Sequence, residues 1–122
     1  MILCVSGSRT ITDRALAWGA LDAFFGEAPI SEPRPVTEVI HGGCRGVDTL
    51  AQDWAFANRI PERIFPADWS RGPAAGPLRN QRMIDEADAL VAVWDGESRG
   101  AADAIKRARV KGIRVVVKTP DP

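Results

Sequence analysis

Short apolar runs and amphipathic helical stretches alternate along the whole of this chain, and few folds accommodate that alternation. Residues 2–6 are apolar and end at Gly7, as suits a strand buried on both faces. Ala17, Leu21, Phe24 and Phe25 then recur at helical spacing, with Thr12 as the expected cap and Asp13 favourable in the first turn. Val36–His41 is a second apolar run, followed by a helical face of Val47, Leu50, Ala51, Trp54 and Ala55 that Pro61 terminates. Arg63–Pro66 reads as a third short strand, about 78–87 as a third helix with Met83, Ile84 and Ala87 inward, and Ala89–Trp94 as a fourth strand. Ala101, Ala104, Ile105 and Ala108 give the last helix its face, Gly112 stops it, and Val115–Val117 is the fifth strand.

Strands alternating with helices call for right-handed crossovers and a parallel sheet covered on both sides. The expected fold is therefore α/β: a Rossmann-like, doubly wound parallel sheet of about five strands in order 3-2-1-4-5, forming one domain over residues 1–122. Helix starts then gather at the C-terminal edge of the sheet. Strands one and four flank the switch point at which such sheets bind ligands. Glu27–Pro35, with prolines at 29, 33 and 35, reads as a surface connection. Asp68–Pro77 is too rich in glycine and proline to suggest a regular element, and loops of that length usually carry function.

Lysine plus arginine equals aspartate plus glutamate at 16 each, so no overall field attracts nucleic acid or an anionic membrane, and neither is an expected partner. Any anion must be recognised locally. The apolar start Met1–Val5 lacks a basic leader and a cleavage site, which makes the cytoplasm the expected location. Cys4 sits in a strand pattern and Cys44 in a glycine turn, and both read as free thiols.

Four turns carry the chemistry: Ser6-Gly7-Ser8-Arg9, His41-Gly42-Gly43-Cys44-Arg45-Gly46, Pro77-Leu78-Arg79-Asn80 and Asp95-Gly96-Glu97-Ser98-Arg99-Gly100. Each places an arginine where a helix is expected to begin. A cation there is disfavoured by about 0.3–1 kcal/mol, so four such placements suggest a shared anionic ligand that offsets the repulsion. Arg9, Arg45, Arg79 and Arg99 offer planar forks for phosphate, Gly42 and Gly43 offer backbone N–H groups, and Ser6, Ser8 and Ser98 offer hydroxyls. Of the acids Asp48, Asp95, Glu97 and Asp103, a carboxylate suits ribose hydroxyls or an oxocarbenium-like transition state, although Asp48 and Asp103 equally suit a helix dipole. Trp69 could stack on a base or simply pack its loop. His41 and Cys44 have ligand spacing but no second pair, so no metal is expected, and no cofactor either. Neither G-x-G-x-x-G nor G-K-[ST] occurs.

Gly7-Ser8-Arg9, Gly42-Gly43-Cys44-Arg45-Gly46-Val47-Asp48 with Ala51 and Trp54, Ala67-Asp68-Trp69, Ala75-Gly76-Pro77-Leu78-Arg79-Asn80 with Met83, and Asp95-Gly96 leading to Gly100 occur in that order. In this the chain resembles the SLOG superfamily, which includes the LOG phosphoribohydrolases and the DNA-processing protein DprA, and is most similar to its small YspA/YpsA-like bacterial and phage branch. The resemblance implies a Rossmann-like domain, often a homodimer, that binds a nucleotide or nucleotide-derived molecule at Gly7, Ser8, Arg9, Gly42, Gly43, Arg45, Gly46, Asp48, Trp69, Arg79, Asn80, Asp95, Gly96, Arg99 and Gly100. In LOG enzymes an arginine before a methionine-bearing helix and a glutamate after a P-G-G-x-G-T turn assist cleavage of a nucleoside monophosphate. Arg79 matches the first, and Asp103 falls where the glutamate would be. The corresponding turn, Trp94–Ala101, lacks a proline, a glycine and a threonine of that motif, and Asn80 stands where lysine is usual. Sensing or sequestering a nucleotide-derived ligand is the expected function, with N-glycosidic hydrolysis as the alternative.

Overall fold

The structure, a computed structural model, describes residues 1–26 and 36–120, so the expected connection Glu27–Pro35 lies outside the described residues. In chain order the elements are β1 (Ile2–Gly7), α1 (Arg14–Gly26), β2 (Glu38–His41), α2 (Val47–Ala57), β3 (Glu62–Ile64), a 3-10 segment (Trp69–Ala74), α3 (Ala75–Glu86), β4 (Ala89–Val93), α4 (Arg99–Lys111) and β5 (Arg114–Lys118). The five strands form one parallel sheet in the order β3-β2-β1-β4-β5. This is the Rossmann-like α/β architecture anticipated from the alternation.

Side chains of successive strand residues face opposite sides of the sheet, which divides the buried residues into two cores. Leu3, Val5, Val39, Val91 and Val93 pack with Ala17, Leu21 and Phe24 of α1 and Leu50, Ala51 and Trp54 of α2. Cys4, Ile40, Leu90 and Ala92 meet Met83 and Ile84 of α3 and Ala104, Ile105 and Ala108 of α4. Trp54 is completely buried, its Nε1 donating to Asp22 Oδ1 at 2.8 Å while Phe25 meets its ring edge-on at 5.9 Å. Each such aliphatic or aromatic side chain contributes roughly 1.5–3 kcal/mol by leaving water.

Two glycines bring the first two strand-to-helix loops together. A Cβ on Gly7 would lie 2.6 Å from Val47 Cβ, and one on Gly46, whose φ is 77°, would lie 2.6 Å from Arg9 O. The Val47 N–H donates to Ser8 O across this contact at 3.4 Å.

Local starts and stops differ from expectation in three places. Asp13, not Thr12, caps α1: its Oδ1 accepts from Leu16 N–H at 3.2 Å, three residues on, where an N-cap acceptor must reach. Asp68–Pro77 is largely regular. Asp68 Oδ1 accepts from Ser70 N–H at 3.2 Å to start the 3-10 segment, Gly72 turns it at φ 75°, and α3 begins at Ala75. Pro77 falls in the first turn of α3, where its missing N–H had no partner to lose. Strand ends move by one or two residues, and Gly112 closes α4 in the left-handed region at φ 84°, as expected. Lys111 Nζ closes the C-terminal end of α3, donating to the carbonyls of Ile84, Asp85 and Ala87 at 2.8–2.9 Å. Among the described residues no helix is long and apolar enough to cross a membrane.

Candidate functional site

At the C-terminal edge of the sheet, between β1 and β4, lies a cleft of about 420 Å³, within the usual range for small-molecule sites. Val5, Ser6 and Gly7 form its floor, and Gly42, Cys44 and Asp48 come from the second loop. Arg79, Asn80 and Met83 of α3 and Ser98–Ala101 with Asp103 of α4 close the opposite side. Arg9 and half-exposed Trp69 line it with Pro73 and Pro77.

Twelve of the candidate ligand-contacting residues of the sequence meet here: Ser6, Gly7, Arg9, Gly42, Asp48, Trp69, Arg79, Asn80, Ser98, Arg99, Gly100 and Asp103. Ser8, Gly43, Arg45, Gly46, Asp95 and Gly96 do not line the cleft. Ser8 is buried and its Oγ accepts from Asp95 N–H at 3.0 Å, tying the first loop to the last. Gly46 packs against the first loop, and Arg45 and Gly43 are exposed. Asp95 is exposed, and its Oδ1 accepts from the N–H groups of Glu97 and Ser98 at 2.8 Å each, which holds its carboxyl below the usual carboxylate range.

The arginines relate to helices differently from the sequence expectation. Of the four candidates only Arg99 occupies a first helical position; Arg45 precedes α2 by two residues, Arg9 precedes α1 by five, and Arg79 is the fifth residue of α3. Arg79 is nevertheless the most telling. It is only 9% exposed, its Nε donates to Asn80 Oδ1 at 2.9 Å, and its Nη1 donates to the carbonyls of Gly42 and Phe65 at 3.0 and 3.3 Å. Among the described residues no carboxylate lies within 4.0 Å of it, and Nη2 makes no hydrogen bond. Its direct partners are carbonyl dipoles, and the opposite charge it does feel, at Asp48, lies beyond ion-pair distance, so the cation is only partly compensated. The space for its guanidinium exists because Gly42 has no Cβ: one there would lie 2.7 Å from Arg79 Cζ.

Backbone donors at Gly42 and Gly43, anticipated as phosphate ligands, are already engaged. Asp48 Oδ2 accepts from the N–H groups of Gly42 and Cys44 at 3.2 and 3.0 Å, and Gly43 N–H donates to His41 Nδ1 at 3.0 Å. With Nδ1 accepting, His41 Nε2–H donates to Glu62 Oε2 at 2.6 Å, so both ring nitrogens of this buried histidine are occupied. Burial pushes the Asp48 carboxyl up, opposed by those backbone donors and by the positive charge of Arg79. Burial likewise raises the Cys4 thiol, which keeps it protonated.

Open donors are found instead at α4. Ser98 makes no side-chain capping bond, and the first amide of this end with a helical acceptor is Ala102, donating to Ser98 O at 3.1 Å. The N–H groups of Arg99, Gly100 and Ala101 are thus the unfilled end of a helix bordering the cleft. Asn80 Nδ2 links α3 to this end, donating to Gly100 O at 3.2 Å and to Asp103 Oδ2 at 3.0 Å. Arg107 Nε donates to the same Asp103 oxygen at 2.9 Å. Asp103 belongs to the second turn of α4, not the first.

A family model for YspA, cpYpsA-related SLOG proteins matches residues 1–72. The chain belongs to that SLOG family. It is 34% identical over 119 residues to the "Gene 61 protein" of Mycobacterium phage D29, an alignment that covers 92% of this chain and 91% of the phage protein. No solved structure matches. Membership of this family points to binding or processing of nucleotide-related molecules.

Sequence reasoning did not name Cys44, Met83, Pro73 or Gly76 as ligand-binding residues. Cys44, read as a free thiol in a glycine turn, takes a 3.7 Å contact from Arg9 Nη2 on its Sγ. Its place between Gly43 and Arg45 in the second turn was the available signal.

Proposed function

We propose that this SLOG chain binds a nucleotide or nucleotide-derived ligand in the cleft, with the phosphate against the amino end of α4 and the base toward Trp69. The observation that carries the reading is Arg79, a buried guanidinium with no ion-pair partner among the described residues, in the same cleft as the unfilled N–H groups of Arg99–Ala101. An anion supplies the close countercharge that Asp48, beyond ion-pair distance, does not give the first, and the missing acceptor to the second. Arg9 and Arg99, exposed along the same cleft, add mobile charge that draws the anion in. The ligand is sensed or sequestered, and the working unit is a homodimer, which light scattering of the purified protein tests. Calorimetric titration with nucleoside monophosphates, ADP-ribose and cyclic nucleotides tests binding itself. A folded protein silent across that panel refutes the reading.

Hydrolysis of the N-glycosidic bond is a second reading, favoured by Asp103, which lines the same cleft as Arg79 and is joined to it through Asn80. There the Asp103 carboxylate stabilises the oxocarbenium-like carbon while Arg79 positions the phosphate. Chromatography after long incubation with AMP decides it. Released base that disappears in Asp103→Asn supports hydrolysis, and unchanged nucleotide removes it.

A further inference from the structure

We propose that Asp48 reads a ribose hydroxyl, so that the cleft takes ribonucleotides in preference to their 2′- or 3′-deoxy counterparts; this rests on the nucleotide reading above. Asp48 is only 7% exposed yet lines the cleft. Its Oδ2 is fixed by the Gly42 and Cys44 N–H groups, which leaves the carboxylate one orientation. Its Oδ1 has no hydrogen-bond partner among the described residues. That oxygen keeps solvent contact in the open cleft, since among the described residues no fully buried side-chain oxygen lacks a partner, and a ligand that displaces this water must supply a donor in its place.

The chemistry of the cleft narrows what that donor is. Phosphate offers none at neutral pH and is repelled by a carboxylate, and its natural place is the α4 end with Arg99 and Arg9. A flat base finds its apolar surfaces at Trp69, Pro73 and Pro77. The group between phosphate and base is the sugar, whose hydroxyls are donors. Asp103, the other acid on the cleft, is a poorer reader: its side chain is 26% exposed and already paired with Arg107 at 2.9 Å. Water can satisfy its second oxygen when a hydroxyl is missing. At Asp48, only 7% exposed, a bound ligand covers most of the remaining access, so a missing hydroxyl leaves Oδ1 without a donor once its water is displaced, and sites of that kind discriminate strongly.

The test is calorimetry on the full chain with AMP, GMP, CMP and UMP, their 2′-deoxy and 3′-deoxy analogues, and their 2′- and 3′-fluoro analogues. One deoxy form is expected to bind roughly 10- to 150-fold more weakly than the ribonucleotide, the range for a charge-assisted hydrogen bond left unmade. Fluorine accepts but does not donate, so the fluoro sugar at that position is expected to bind as weakly as the deoxy one. In Asp48→Asn the amide oxygen still serves Gly42 and Cys44 while the amide nitrogen replaces Oδ1, and the preference is expected to fall to within about threefold. Equal affinity for ribose and both deoxy sugars overturns the inference and leaves the nucleotide reading standing. So does a fluoro sugar that binds like ribose, a result that needs no variant. A preference that survives in Asp48→Asn overturns the role of Asp48. Silence from every monophosphate overturns the inference, and only silence from ADP-ribose and cyclic nucleotides as well overturns the nucleotide reading.

Discussion

Gly42→Ala probes the seat of Arg79 directly. The Gly42 backbone does not require the left-handed region, so alanine brings no torsional penalty there. Its Cβ would instead meet the guanidinium, 2.7 Å from Cζ and 3.3 Å from Nε, and the side chain would have to withdraw from the Gly42 and Phe65 carbonyls. Hydrogen bonds from a charged donor contribute about 1.5–3 kcal/mol each, and partial rehydration of the displaced guanidinium returns some of the loss. The expected net destabilisation is about 1–3 kcal/mol, which for a chain of this length corresponds to roughly 4–12 °C in Tm. Thermal unfolding by circular dichroism measures it, and a double-mutant cycle with Arg79→Ala isolates the cause. With the guanidinium gone, Gly42→Ala should cost less than about 0.5 kcal/mol. An equal penalty in both backgrounds would refute the idea that the glycine exists to accommodate the arginine.

Trp69→Ala should leave the melting temperature nearly unchanged, because the ring is 56% exposed, yet weaken ligand binding by about 1–3 kcal/mol through lost stacking; unchanged affinity in calorimetry would take the base away from Trp69. Lys111→Met should lower stability by about 1–3 kcal/mol in urea titration by stranding the carbonyls that close α3, with ligand affinity unaltered. Asp48→Asn carries a pH signature. The folded-state carboxyl is raised by burial, so the stability this group contributes is fully present below its unfolded pKa and is lost as pH rises through the folded value. The asparagine variant should therefore gain on the wild type between acid and neutral pH, and denaturant melts in which the wild type gains instead would contradict the sign.

Much of the architecture was legible because it follows from local pattern. Apolar runs such as Ala89–Val93 and the faces formed by Val47, Leu50, Ala51 and Trp54 or by Ala101, Ala104, Ile105 and Ala108 are buried where periodicity placed them. Handedness of the crossovers then leaves few sheet orders to choose from, and 3-2-1-4-5 is the one observed. The stretch from Asp68 to Pro77 was misread because proline is usually a breaker, whereas a first-turn proline costs a helix nothing.

The chain's residue order alone carried the fold class, the family and the set of loops that surround the cleft, since periodicity, turn chemistry and short motifs are properties of neighbours along the chain. It did not carry the partner of each polar group. That Gly42 and Cys44 donate to Asp48, that Asp95 holds its own loop, and that Arg79 rather than Arg45 enters the cleft depend on contacts between elements brought together only by packing. Hydrogen-bond acceptors go to whichever donor the tertiary structure brings within about 3 Å, and that choice is invisible until the sheet and its helices have closed.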